Sequence, residues 1–373
     1  MLPREQSNSA GRVGSDERQG IGPPSGGRFC RCGAWWGQLG QEPTVALYVQ
    51  HLVGIFREVR RLLAPWGTCW LNLGDSYATN NHSAASNGHP TRHQKGSPQR
   101  GDEIVERRLG GLKPKDLVGV PWRVALALQE DGWWLRSDII WHKPNPMPES
   151  VRDRPTRAHE YVSLLTKSER YFYDALAVAE TASVGARGSR FDQGKTWVTQ
   201  RRVGKGYRDT ALRNLRTVWT IPPEPFPGAH FAVFPTKLAE RCVLAGSPAA
   251  GVCSICGRPW EPVVERVRSP RGAYAGKPFA TGSASERMRG AVAGARAAGG
   301  DHDQPFPSPR VTGHRPTCPC AAPARPALVL DPFCGAGSTG VAALRHGRRF
   351  LGIDLSADYL AMARERLLRA CSP

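Results

Sequence analysis

The chain has 373 residues, 40% of them apolar, which is enough to bury one large core with appendages. No apolar run nears the roughly 20 residues of a membrane-spanning helix, and Arg4, Glu5 and Gln6 stand where a secretory signal would place its apolar region, so a soluble, cytoplasmic protein is expected. The excess of 51 Lys and Arg over 32 Asp and Glu, a formal charge of +19, favours a polyanionic partner, although an Arg-rich composition competes as the source of part of it.

Residues 1–27 are rich in Gly, Ser, Arg and Gln without periodicity and read as a disordered tail. Cys30 and Cys32 follow as a pair without a partner. Apolar residues recur at helical spacing from Val45 to Leu63 until Pro65 and Gly67 stop them, and Thr68 to Leu73 reads as a strand ending at Gly74-Asp75. Asn80 to Arg107 is a polar excursion whose His82, His89 and His93 have no paired cysteines and make weak evidence for a metal. Lys115 to Glu130 resumes helical periodicity with Pro121 inside, and Asp131-Gly132 turns the chain. Trp133 to Trp141 and His159 to Thr166 read as strands, making Pro144 to Arg157 the loop of a hairpin-like pair. By itself Pro144-Asn145-Pro146-Met147-Pro148 is a rigid turn, since each proline fixes φ and removes a donor.

The next stretch is the most basic. Arg187, Arg190, Lys195, Arg201, Arg202, Lys205, Arg208, Arg213 and Arg216 are interleaved with Trp197 and Tyr207, a composition suited to nucleic acid. Most arginines in DNA complexes touch phosphate, so each is expected to position rather than to specify. Leu238 to Ala245 reads as a helix entered through Phe234-Pro235-Thr236. The ten cysteines of a cytosolic chain point away from disulfides. Cys253-Ser254-Ile255-Cys256 has zinc-knuckle spacing, and Cys318-Pro319-Cys320 offers a second pair, so that four thiolates close a tetrahedral site or remain unligated surface thiols. Glu265 to Pro316 between them lacks apolar periodicity and is expected to be disordered. Cys69, Cys242, Cys334 and Cys371 read as small core or turn residues.

Near the C-terminus Ala327 to Leu330 is an apolar strand leading into Asp331-Pro332-Phe333-Cys334-Gly335-Ala336-Gly337-Ser338-Thr339-Gly340. Glycines after a strand let backbone approach a ligand, and the following helix starts with unpaired N–H groups. Asp354, after the strand Arg349 to Ile353, is placed to accept hydrogen bonds from ribose hydroxyls, and Ala357 to Ala370 closes the chain as a helix. The glycine spacing also fits a dinucleotide fingerprint, but no second mononucleotide half follows, which favours a single nucleoside.

The segment from Asp331 to Gly340 resembles the cofactor motif of the amino DNA methyltransferases, which methylate the exocyclic nitrogen of adenine or cytosine. Leu71 to Tyr77, and Trp141 to Ser150, resemble that family's permuted, so-called beta, order, in which a catalytic half precedes the cofactor half. The resemblance covers most of the chain from about Gly37. It implies an α/β fold, a Rossmann-like S-adenosylmethionine-dependent methyltransferase sheet in circularly permuted order. Residues 28–177 would form the catalytic half, 178–216 the target-recognition segment, and 217–373 the cofactor half, interrupted at 250–322 by the cysteine-containing insert. Asn145, Pro146 and Met147 would face a flipped target base, while Phe234, Pro235, Thr236, Asp331, Phe333, Gly335, Gly337, Ser338, Thr339 and Asp354 would hold the cofactor, with the start of the 236 helix meeting its methionine carboxylate. Cys253, Cys256, Cys318 and Cys320 are the metal candidates. Double-stranded DNA, S-adenosylmethionine, a homodimeric assembly and a restriction-modification setting complete the implied set, and the cysteine spacing adds a structural zinc.

One departure matters. The family carries Asp or Ser before Pro-Pro-Tyr or Pro-Pro-Phe, whose polar group accepts from the target amine and whose ring stacks on the base. Gly22-Pro23-Pro24-Ser25 has neither ring nor preceding strand, so no catalytic residue is assigned. The resemblance starts near Gly27 to Gly33, which implies that the missing strand and tetrapeptide belong before Met1. An active methyltransferase, an inactive relative that retains cofactor or DNA binding, and a nucleotide-dependent oxidoreductase all stay open at this point.

Overall fold

The computed structural model describes residues 27–78, 111–181, 212–225, 233–265 and 309–371. The expected N-terminal tail up to residue 26, the histidine-bearing excursion, most of the basic segment and residues 266–308 of the Gly- and Arg-rich insert lie outside the described residues. The ends of that insert correct the expectation of disorder: Glu265 and Arg310–Pro316 are strand, because the two flanks of the insert pair antiparallel with each other. The chain divides into two compact units, one made of Met1–Glu58 and Gly74–Asp131, the other of Val59–Leu73 and Gly132–Pro373.

In the first unit β1 (Arg28–Phe29) and β2 (Trp35–Trp36) pair antiparallel. The turn between them brings Cys30 and Cys32 together with Cα atoms 5.3 Å apart, and they form a disulfide. This corrects the expectation that the cysteines avoid disulfides; the other eight are free. Helix α1 (Val45–Leu62) begins where the Thr44 hydroxyl accepts the Leu47 N–H at 3.2 Å, a side-chain cap, and it buries Leu52, Val53 and Phe56 along one stripe. After β3 (Thr68–Leu73), helix α2 runs over Val120–Glu130 and not from Lys115. Pro121 sits in its first turn, where the missing N–H is no loss, because a proline deeper in the helix would clash with the carbonyl four residues back. Gly119 enters with φ 75°, and the Asp75 carboxylate accepts the Gly119 and Val120 N–H groups at 2.9 and 3.0 Å, supplying the missing cap.

The second unit is built on a four-stranded sheet. Its strands are β3, β4 (Trp134–His142), β5 (His159–Thr166) and β8 (Val218–Thr220), in the order β3-β5-β4-β8. β5 pairs antiparallel with both neighbours and β8 lies parallel to β4, so residues 144–157 are the hairpin connection that the sequence implied. Between β5 and β8 in sequence, β6 (Glu180–Thr181) and β7 (Leu212–Arg213) pair antiparallel. Alternate residues point Ile139, Trp141, Val162, Leu164 and Trp219 into one core with Ile221 and Leu238. Trp141 and Trp219 are 3% and 2% exposed, and their indole N–H groups donate to Ile221 O and Arg216 O, so about 2–3 kcal/mol of burial per ring is kept without an orphaned donor.

Helix α3 (Thr236–Gly246) follows, then β9 (Val252–Cys253), β10 (Trp260–Glu265), β11 (Arg310–Pro316), β12 (Ala324–Arg325), β13 (Leu328–Asp331), α4 (Ser338–Arg345), β14 (Arg349–Gly352) and α5 (Ala357–Cys371). β13 and β14 form a parallel pair, β10 and β11 an antiparallel ribbon, and β9 pairs antiparallel with β12. Helix α3 meets α4 through small residues, with Ala239, Val243 and Ala342 in one cluster. Phe234 packs against both this cluster and the sheet core, tying the two together. The chain is thus a mixed α/β fold.

Candidate functional site

Strand β13 ends at Asp331, and everything that follows is laced to the chain beyond β14. Ile353 N–H donates to Asp331 O and Cys334 N–H to Ile353 O, each at 2.9 Å. The Asp331 side chain braces the turn: Oδ1 accepts the Phe333 N–H at 3.0 Å and Oδ2 the Thr339 hydroxyl at 2.6 Å. Burial pushes the Asp331 carboxyl above the ordinary range, while the Thr339 bond pulls against it. Gly335 and Gly337 have φ of 46° and 77°, a backbone open to glycine at little cost. Gly340 serves packing instead, since a Cβ there would lie 2.6 Å from Phe350 and Leu367.

Asp354 is the splint of this turn. Its Oδ2 accepts the Gly335 N–H at 2.8 Å and its Oδ1 the Ser356 N–H at 2.9 Å, leaving one lone pair on each oxygen for donors from outside. Ile353 and Leu355 on either side are 51% and 95% exposed, and Phe333 is 45% exposed. Gly337 caps α4 without a side-chain bond, so the helix offers its first amides at the turn. Arg366 of α5 donates to Ala336 O at 2.6 Å and reaches the buried Ser338 at 3.3 Å. Burial lowers the Arg366 pKa, and the Glu224 carboxylate counters it.

At the start of α3, Pro235 and Thr236 are buried, and the Thr236 N–H donates to Glu224 Oε2 at 3.0 Å. The amide that the sequence reading offered to a ligand carboxylate therefore already holds one from this chain, and Phe234 is a packing residue between two clusters. Sequence patterns carried no signal for Glu224 or Arg366, because neither lies in a motif; folding brings the one to the Thr236 amide and the other to the Ala336 carbonyl.

The 144–157 loop is fixed at its neck and open at its tip. Lys143 pairs with Glu160 and lies 4.4 Å from the centre of the Trp141 ring. Within the loop Arg154 binds Glu149 at 2.5 Å and holds that carboxylate below its usual range. Asn145 is exposed, Pro146 half-buried and Met147 84% exposed. Of the basic segment, Arg213 and Arg216 both pair with Glu180, at 3.1 and 2.8 Å; the other cations named above lie outside the described residues.

The four predicted metal residues do come together. The sulfurs of Cys253, Cys256, Cys318 and Cys320 all lie within 4.8 Å of one another, a cluster able to hold a metal ion. Backbone N–H groups of Cys256 and Ile255 hold the Cys253 thiol down to about 6, whereas hydrogen bonding with Cys256 and Cys318 pushes Cys320 up to about 12. Cys334 is buried, and burial drives its thiol up to about 11, the opposite of what a nucleophile needs.

A family model described as DNA methylase matches residues 23–253 and 325–365. The chain is 37% identical over 335 residues to the type II methyltransferase M.SmaI of Serratia marcescens, covering 89% of this chain and 78% of that protein. Identity to the type II methyltransferase M.Cfr9I of Citrobacter freundii is 34% over 330 residues, covering 88% and 74%. Among solved structures, a PvuII DNA methyltransferase described as cytosine-N4-specific aligns with a TM-score of 0.44 at 14% identity, covering 86% of this chain and 71% of that one.

Proposed function

The chain belongs to the N6/N4 DNA methylase family, and on that footing we propose that it acts as a type II methyltransferase, moving the methyl group of S-adenosylmethionine to the exocyclic amino group of adenine or cytosine in double-stranded DNA. The observation that carries this reading is the turn after β13: two left-handed glycines, an uncapped helix start and a carboxylate with acceptor capacity to spare. These fit a nucleoside cofactor. Gly335, Gly337, Ser338 and Thr339 would give it backbone, Asp354 would accept from its ribose, and the exposed Phe333 ring would flank it. Phe234, Pro235, Thr236 and Asp331 would shape the pocket from behind. S-adenosylmethionine, when bound, supplies a methyl group on a sulfonium. No cysteine nucleophile is required for transfer to nitrogen, in keeping with the high pKa of Cys334.

Asn145, Pro146 and Met147 form the wall for an extruded base in this reading, and a loop fixed at both ends lowers the ordering cost of receiving one. The strands of the catalytic half, β3 to β8, precede β13 and β14 in the chain, which we read as the permuted beta order, with 28–177, 178–216 and 217–373 as catalytic, target-recognition and cofactor segments. The cysteine cluster is read as a structural zinc site within the 250–322 insert. No helix among the described residues is long and apolar enough to cross a membrane. A cytoplasmic, homodimeric enzyme in a restriction-modification setting completes the proposal. A nicotinamide or flavin enzyme, the other reading of the glycine spacing, is set aside by the family match.

A second reading has its own observation. The sequence holds no Pro-Pro-Tyr or Pro-Pro-Phe, which favours a relative that binds cofactor and DNA without transferring a methyl group. Two measurements decide. Calorimetry with S-adenosylmethionine tests the pocket, and tritiated methyl incorporation into unmethylated DNA tests transfer. Binding with incorporation supports the main reading, binding without it the second, and absence of binding refutes both.

A further inference from the structure

The family model passes over residues 254–324, where Cys256, Cys318 and Cys320 lie, so methyl transfer does not account for this ribbon. Its cysteines are arranged for a metal. A tetrahedral zinc with sulfur bonds of about 2.3 Å places its sulfurs roughly 3.8 Å apart, and a small inward movement from the observed cluster closes that geometry. Backbone N–H groups of Cys256 and Ile255 point at the Cys253 sulfur, and that of Cys320 at the Cys318 sulfur, as thiolate ligands demand.

The position of the cluster matters as much as its chemistry. Helix α3 ends at Gly246 and the chain reaches β9 at Val252; β12 pairs with β9, Ala324 opposite Cys253 and Arg325 opposite Val252. Only Pro326 and Ala327 then separate β12 from β13. The approach is close: Gly251 has φ 92°, and any Cβ there would strike the Arg325 carbonyl. Ser254 N–H donates to Pro323 O at 3.0 Å, and Ala327 O accepts the Arg349 N–H at 2.8 Å, so the short segment 323–327 is bonded at one end to the knuckle and at the other to the start of β14. On its other side the knuckle is anchored where the Trp66 indole donates to Gly257 O at 2.9 Å, with Trp66 packed edge-on against Phe172.

We propose that one zinc-class ion held by Cys253, Cys256, Cys318 and Cys320 clamps the outgoing end of α3 to the incoming end of β13, so that metal occupancy sets the order of the Asp331–Gly337 turn and its affinity for the cofactor. The second half of this statement rests on the cofactor reading above; the clamp does not. The ion takes all four sulfurs as thiolates, and whatever protons they still carry pass to solvent on binding.

Elemental mass spectrometry of the purified full chain is expected to find one zinc, and cobalt substitution to give thiolate-to-metal charge-transfer absorption. Under reducing conditions the ion is then removed by chelator and restored, with hydrogen exchange followed over residues 324–337 and S-adenosylmethionine affinity by calorimetry. Stripping is expected to speed exchange there and weaken the cofactor about tenfold or more, both reversed by zinc and not by magnesium, with Cys320→Ser behaving like the stripped protein. Folded protein that neither holds nor regains zinc overturns the proposal. So does a zinc-loaded chain whose exchange and affinity are unchanged on stripping. Zinc-dependent exchange in a chain that never binds S-adenosylmethionine would refute the cofactor reading, and the coupling with it, and leave the clamp standing.

Discussion

Asp354→Asn separates two roles of one carboxylate. In the wild-type chain each oxygen accepts a backbone N–H, from Gly335 at 2.8 Å and Ser356 at 2.9 Å. Asparagine is neutral, so the acceptor it keeps makes an uncharged bond, while its NH₂ group turns toward the other amide and sets two donors face to face. Bonds to charged groups contribute about 1.5–3 kcal/mol, which corresponds to roughly 10- to 150-fold in an equilibrium constant. Because the Gly335 turn is also the cofactor seat, that loss should appear as weaker S-adenosylmethionine binding by calorimetry and as faster amide exchange at Gly335 without cofactor. A cofactor analogue lacking the ribose 2′-hydroxyl completes a double-mutant cycle. If Asp354 also receives the ribose, the analogue's deficit in the wild type shrinks in Asp354→Asn. An asparagine variant with unchanged affinity and unchanged Gly335 exchange would refute the reasoning; an equal loss of affinity for the analogue in both proteins would remove only the ribose contact.

Gly340→Ala should destabilise by about 1–3 kcal/mol through overpacking against Phe350 and Leu367, measured by urea unfolding, and adding Leu367→Ala should restore part of the loss. Thr339→Val removes the bond to the half-buried Asp331 carboxylate and should cost about 1.5–3 kcal/mol at neutral pH. Burial raises the folded pKa of Asp331 above its unfolded value, so the native state binds the proton more tightly and stability falls as pH climbs through that window; valine removes the opposing bond and extends the fall to higher pH. Urea midpoints across a pH series check the sign, and a rise of stability through the window would contradict it. Met147→Ala, at an 84% exposed tip, should leave unfolding within about 0.5 kcal/mol of wild type while lowering methyl incorporation; unchanged incorporation would remove Met147 from the base-facing wall.

Much of the scaffold is legible in the sequence. The strands Thr68–Leu73 and His159–Thr166 keep their expected bounds, and α1 ends one residue short of the expected Leu63. Those elements rest on apolar periodicity and on breakers such as Pro65, which act within a few residues. The helix expected from Lys115 instead starts at Val120 because Pro121 belongs in a first turn, and because the capping carboxylate of Asp75 comes from more than forty residues upstream. In the sequence Cys30 and Cys32 are a pair lacking a partner; the turn that joins β1 to β2 makes each the partner of the other.

The candidate site divides along the same line. Glycine's use at positive φ, a carboxylate one strand beyond it and a knuckle spacing of two residues are properties of short peptides, so the sequence alone determined the turn at Gly335 and Gly337, Asp354 and the first cysteine pair. Which groups meet was decided by the tertiary structure: Glu224 on the Thr236 amide, Arg366 on the Ala336 carbonyl, and Cys318 and Cys320 beside Cys253. Such contacts depend on where the chain returns after long excursions, and that is set by the packing of α3 on α4 and the pairing of β9 with β12. No local pattern encodes that return.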